Sequence, residues 1–218
     1  MNSRRISALL ILLAVILCLS VSLTSCLESY DEDEVISASE TLLKNCEALN
    51  TVFFGHGIAY IDSGYANGDY KEASIAHLEG LGFKTIAELR ALTYATYTES
   101  YAESILNLAL NPLYNTEGEI QYMAKYAESY YDIEMKQPYI LVYSKIEDVR
   151  IIFDDRMTYN YTTLRSDGIK DGKVKMWINV TVEDERGNKK DRDLSFSIKK
   201  EDGEYRLTGP VFTNFNFD

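Results

Sequence analysis

Histidine, cysteine, proline and positive charge are all scarce in this chain. Two histidines stand in 218 residues. A zinc site takes three or four nitrogen, sulfur or oxygen ligands at characteristic spacings, and neither His56 nor His77 has such a partner nearby in sequence. His56 reads as a loop residue between glycines, and His77 as a surface or boundary residue. A calcium loop of the EF-hand type fails at Asn67-Gly68, because the positions that should be acidic or Asn are Ser63 and Tyr65. No Gly-x-Ser-x-Gly elbow and no phosphate loop occurs. The residues therefore assign no catalytic group, metal or cofactor. Lys and Arg number 22 against 34 Asp and Glu, a formal charge of −12. So acidic a chain repels phosphate backbones, which excludes nucleic acid as an expected partner. No internal repeat is visible, and no Gly-, Ser- or Pro-rich linker follows residue 34.

The first residues do carry a signal. Arg4 and Arg5 precede an almost wholly apolar run from Ile6 to Leu23. A positive start, an apolar core and small residues near a cut site describe a secretory signal. The run is also long enough for an uncleaved span. Ser3-Arg4-Arg5 opens like a twin-arginine signal, but Ser7 and Ala8 depart from that pattern. The run closes on Leu23-Thr24-Ser25-Cys26, which resembles the bacterial lipobox and favours cleavage. The resemblance implies a diacylglycerol on the Cys26 thiol and a cut between Ser25 and Cys26. Residues 1–25 are then a lipoprotein signal peptide, and the chain is held by lipid on the extracytoplasmic side of the cell membrane. Cys18 leaves with the signal, Cys26 is acylated and Cys46 stays alone, so no intrachain disulfide forms. Cys46 falls on an apolar helical stripe and reads as a small buried hydrophobe.

Residues 26–34, with Asp31-Glu32-Asp33-Glu34, are expected to form a lipidated acidic tether, and 35–218 a single α+β domain. Residues 35–49 show helical spacing through Ile36, Leu42, Leu43, Cys46 and Leu49; 50–69 read as irregular. Asp69 and Glu72 suggest a capping box for a short helix ending at Gly80, and Thr85-Ile86-Ala87-Glu88 a second box. A helix over 98–110 would bury Tyr101, Ile105 and Leu108 and stop at Asn111-Pro112. Another over 117–131 would share Ile120, Met123, Ala127 and Tyr130. After Pro138 the period changes to two, with strands expected at 139–144, 148–153 and 156–164. Val174, Met176, Ile178, Val180 and Val182 alternate with polar residues, and Leu194, Phe196, Ile198 and Leu207 continue the pattern. Asp202-Gly203 is a hairpin signal; Asp167-Gly168 and Asp171-Gly172 read as turns. Lys173–Glu183, Arg192–Lys199 and Glu204–Thr208 should be consecutive antiparallel strands, their apolar face covered by the upstream helices.

This order of elements, closed by Lys200-Glu201-Asp202-Gly203-Glu204-Tyr205-Arg206-Leu207, is similar to the nuclear transport factor 2-like, or cystatin-like, superfamily. The resemblance implies N-terminal helices packed on one face of a curved antiparallel sheet. Phe53-Phe54-Gly55 and Thr85-Ile86-Ala87-Glu88-Leu89-Arg90-Ala91-Leu92 resemble stretches of Firmicutes lipoproteins that join a lipobox to such a domain. The superfamily holds enzymes, binding modules and assembly proteins, so it fixes no function.

Tyrosine is the one abundant aromatic, at 17 residues. Tyr94, Tyr97, Tyr101, Tyr126, Tyr130, Tyr131, Tyr159 and Tyr161 read first as core packing, and secondly as the lining of a pocket for a small ligand or glycan. Two function classes follow. One is a non-enzymatic binding or assembly module, with an envelope protein or small ligand as partner and an apolar patch or pocket to meet it. The other is a small hydrolase or isomerase, for which Asp154, Asp155 and Tyr159 are the first residues to inspect.

Overall fold

The computed structural model describes residues 30–62, 64–129, 139–145, 156–183 and 186–213. Cys26, the signal peptide, the strand expected at 148–153, Asp154, Asp155, Tyr130 and Tyr131 lie outside the described residues.

Four helices and ten strands make an α+β fold among the described residues. Helix α1 spans Glu32–Phe54. It starts inside the stretch expected as tether, because Asp31 is its N-cap: the Asp31 carboxylate accepts from the amides of Asp33 at 3.0 Å and Glu34 at 3.2 Å. Acids in the first turn also suit the positive end of the helix dipole. The helix runs past residue 49 to Phe54, because Leu49, Asn50 and Val52 continue its buried stripe.

Strands β1 (Ala66–Asn67) and β2 (Tyr70–Glu72) follow. Asp69 and Glu72 thus belong to a β-ribbon, not to a capping box. Ser74 caps the short α2 (Ile75–Leu81) instead, and Gly82 ends it in the left-handed region at φ 85°. Helix α3 (Ile86–Thr96) starts where expected. The Thr85 hydroxyl accepts from the Glu88 amide at 3.1 Å, while the Glu88 carboxylate reaches back to the Lys84 amide at 2.6 Å.

Helix α4 (Glu99–Leu110) buries Ala102, Ile105, Leu106 and Ala109. The expected stripe was partly wrong: Tyr101 is half-buried and Leu108 is 58% exposed. The packed face combines two alanines with Ile105 and Leu106.

Among the described residues of 117–131 there is no helix: β4 (Ile120–Tyr122) and β5 (Tyr126–Ser129) stand there, after β3 (Leu113–Tyr114). Local turn chemistry overrides the helical spacing. The Asn115 side chain accepts from the amides of Glu117 at 3.0 Å and Glu119 at 2.8 Å, and Gly118 takes φ 81°. Asn side chains that bind nearby amides favour turns over helix.

Strand β6 (Tyr139–Tyr143) pairs with β2 and β5, giving an antiparallel sheet of order β1-β2-β6-β5. It belongs to this sheet and not to the C-terminal meander, so in place of the single expected sheet there are two four-stranded sheets and the β3–β4 ribbon among the described residues. Its consecutive residues Ile140, Leu141 and Val142 are all buried, as a central strand covered on both faces requires.

The second sheet, of order β10-β9-β8-β7, comprises β7 (Met157–Lys170), β8 (Lys173–Glu183), β9 (Lys189–Glu201) and β10 (Glu204–Leu207). Val174, Met176 and Ile178 face Ile198, Phe196 and Leu194 across the ladder, and Leu207 faces Ile198. All are buried except Leu194, which is half-buried. The expected register is therefore the observed one. Asp171-Gly172 and Asp202-Gly203 each place two consecutive residues at positive φ, the tight hairpin turn that matches strand twist. Asp167-Gly168 is a bulge inside β7, not a turn: the register against β8 shifts between Ser166 and Ile169.

Helix α1 lies over β7 and β10, beside α3, and its core joins residues of both sheets in one cluster. Its first turn is tied down by Lys200 to Glu34 at 3.0 Å and by Ser166 to Glu32 at 2.9 Å. At its other end Tyr126 and Lys125 both donate to the Val52 carbonyl, each at 2.7 Å. Lys125 so supplies the cation that the last turn of α1 lacks.

Candidate functional site

Three features outside ordinary packing bear on function. The first is a buried polar cluster where α1 meets β7, the end of α3 and the segment after β10. Helical spacing puts Cys46 and Asn50 on one face of α1. The Cys46 thiol lies 3.3 Å from the Tyr97 hydroxyl and 3.5 Å from the Asn50 side-chain oxygen. The Asn50 amide donates to the Val211 carbonyl at 3.1 Å, and the Tyr159 hydroxyl donates to that same carbonyl. Tyr161 donates to Glu47.

Burial pushes the Cys46 thiol up to about 11, and likewise raises Tyr97, Tyr159 and Tyr161. A thiol that stays protonated at neutral pH is a poor nucleophile. Each of these hydroxyls has a partner, so the cluster orders the junction of these four pieces of chain. The tyrosines read from sequence thus divide. Tyr97, Tyr126 and Tyr159 are buried, Tyr101 and Tyr161 half-buried, and Tyr94 is 39% exposed. Tyr159, one of the residues to inspect for catalysis, is a core donor to a backbone carbonyl.

The histidines do not join this cluster. His56 is exposed in the loop after α1. His77 is half-buried, and its Nδ1 accepts from the Ala59 amide at 2.8 Å, which stitches α2 to that loop. Among the described residues no three His, Cys, Asp or Glu side chains group as metal ligands would.

The second feature is a groove along the start of α4 and the outer face of the meander. One part, of about 400 Å³, is lined by Thr98, Ser100, Tyr101, Ser104, Lys173 and Thr208 among others. The next part, of about 550 Å³, runs past Tyr94, Glu99 and Arg206. Lys199 and Glu201 line both. Glu201 caps α4 from another element: one oxygen accepts from the Glu99 amide at 3.0 Å and the other pairs with Lys199 at 3.1 Å. The Glu99 amide, foremost, and Lys199 hold this carboxyl below its usual range.

The third feature is the β3–β4 ribbon. Leu113 and Ile120 are 41% and 52% exposed, Tyr114 and Tyr122 58% and 60%. Met123 and Leu108, close by in sequence, are 41% and 58% exposed. The reading of 117–131 as a helix hid this ribbon. The groove was closer to hand, since period-two alternation turns Lys173 and Lys199 away from the buried face.

The chain matches no protein family, no curated protein and no solved structure. Among the described residues no helix is long and apolar enough to cross a membrane.

Proposed function

We propose that the chain is an extracytoplasmic lipoprotein, held to the cell membrane by lipid on Cys26, whose domain serves as a non-enzymatic binding or assembly module on a nuclear transport factor 2-like scaffold. Leu23-Thr24-Ser25-Cys26 supports the lipid, and a long helix laid over a four-stranded meander supports the scaffold. The observation that carries the binding role is the exposed β3–β4 ribbon. A two-stranded ribbon is marginal on its own, yet this one closes an ordered Asn115 turn and shows four large apolar side chains to solvent. Large exposed apolar side chains grouped on one short ribbon support a partner site.

Glu117 and Glu119 rim the ribbon, so a second copy would bring like charges together. The fitting partner is a protein with an apolar groove and a basic rim. Covering the exposed half of Leu113, Tyr114, Ile120 and Tyr122 contributes about 1 kcal/mol each, enough to matter after the cost of association.

A photoreactive residue in place of Tyr122 tests this in native envelopes. The expected result is one dominant adduct, lost in Leu113→Ser/Ile120→Ser and weakened in Glu119→Lys. No adduct, an adduct with a second copy of the chain, or indifference to these substitutions would overturn the assignment. Intact mass tests the anchor separately: Cys26 should carry lipid, and Cys26→Ala should leave an unlipidated, uncut precursor.

A further inference from the structure

We propose that the groove beside α4 binds a carboxylate-bearing glycan. Strand register supplies the first reason. Lys170 pairs with Lys173, and Arg206 with Lys199. Val174 opposite Ile198 sets Lys173 next to Lys199 on the neighbouring strand. Four cations therefore stand in line across β7, β8, β9 and β10, on the face turned away from α1. At a strand spacing of about 4.8 Å the row is about 14 Å long.

Charge distribution supplies the second reason. Residues 156–208 hold 12 of the 22 basic residues but only 10 of the 34 acidic ones. The meander is a cationic element in an acidic chain. Lys199 pairs with Glu201, whose carboxylate Arg206 also attracts. Lys173 makes no ion pair with a described residue. Arg206 hydrogen-bonds to backbone, its Nε donating to the Tyr94 carbonyl and its Nη1 to the Tyr205 carbonyl, each at 2.9 Å. Both side chains line the groove.

The remaining lining selects the ligand. A simple anion would use only the charges. Here the Lys173 end also carries the hydroxyls of Thr98, Ser100, Ser104 and Thr208 and the ring of Tyr101. Hydroxyls pair with sugar hydroxyls, and an aromatic face packs on a sugar's C–H face. Past Lys199 the lining is mixed in sign, with Glu99, Glu201 and Asp202 alongside Arg206. Those carboxylates accept from sugar hydroxyls but repel a densely charged phosphate polymer. The charged sugar therefore sits at the Lys173 end and a neutral one beyond. Because Glu201 already caps α4, the helix terminus is not part of the site.

This inference rests on the reading of the chain as a binding module, but not on its lipid anchor or its ribbon. The two fail separately, since Cys26→Ala and Ile120→Ser should leave glycan affinity unchanged.

The test is calorimetric titration of the full chain in nonionic detergent. The probe is a tetrasaccharide alternating glucuronate with N-acetylglucosamine; the controls are the neutral N-acetylglucosamine tetramer, inorganic phosphate and a short polyphosphate. The acidic tetrasaccharide should bind about tenfold more tightly than the neutral one and weaken as salt rises. Lys173→Gln, an exposed substitution that leaves the core intact, should remove most of that preference. No binding, equal binding of acidic and neutral sugars, phosphate or polyphosphate binding as tightly, or an unaltered Lys173→Gln protein would each overturn the proposal.

Discussion

Lys125 gives the sharpest test of how the fold is held at the end of α1. Its ammonium is drawn into the protein to reach the Val52 carbonyl at 2.7 Å and lies 5.5 Å from the centre of the Tyr126 ring. Burial lowers its pKa from 10.5 to about 8. The unfolded chain therefore holds this proton more tightly than the folded one, and stability rises as pH climbs from about 8 toward 10.5. For a fully buried lysine the gain between pH 7 and 9.5 would be about 2 kcal/mol. Lys125 is only partly buried, so about 1 kcal/mol is expected after solvent screening. Cys46 opposes this trend. Burial raises its pKa from 9.0 to about 11, so the stability it contributes below pH 9 is lost as pH rises toward 11. Comparison with Lys125→Met cancels the thiol. The variant keeps the Tyr126 hydroxyl on Val52, so no carbonyl is orphaned. Urea unfolding of the chain from residue 27, followed by circular dichroism from pH 7 to 9.5, should show the wild type gaining about 1 kcal/mol relative to Lys125→Met. A gap that stays constant across that range would refute the desolvated lysine.

Two further outcomes follow from close packing near α1. Gly57 takes φ 78°, and a Cβ there would lie 2.8 Å from the Tyr126 hydroxyl; Gly57→Ala should therefore cost about 1–3 kcal/mol, read as a lower urea midpoint. Cys46 is 0% exposed with its thiol held protonated, so iodoacetamide at pH 8 should modify it only through unfolding, and quick labelling of the native protein would contradict the buried cluster.

The meander was the most legible part of the chain. On β8 a strict period of two leaves no choice of face, since a one-residue slip would put Val174, Met176 and Ile178 in solvent. Thr85 and Glu88 were equally readable, because a cap is local chemistry. The failures have two causes. Asp69 with Glu72, and Ile120 with Met123, have helical spacing, but a distant strand decides the first outcome and a local turn the second. Tyr70–Glu72 finds β6, and Asn115 closes the β3–β4 turn. Pairing partners far along the chain are invisible to a window of a dozen residues. The groove shows the converse. Alternation alone turns Lys173 and Lys199 outward, but only the register between four strands reveals that the cations stand in line.

The ends of α1 organise these surfaces. The helix has 23 residues and so is about 34 Å long. Its first turn is clamped to the hairpin ends by Lys200 and Ser166, close to Lys199 and the groove. Its last turn is clamped by Lys125, just past the apolar ribbon. The groove lining reaches from the first-turn clamp, through Lys200, past the middle of the rod, where Tyr97 meets Cys46. One helix therefore supports the groove and, through Lys125, the strand that follows the ribbon.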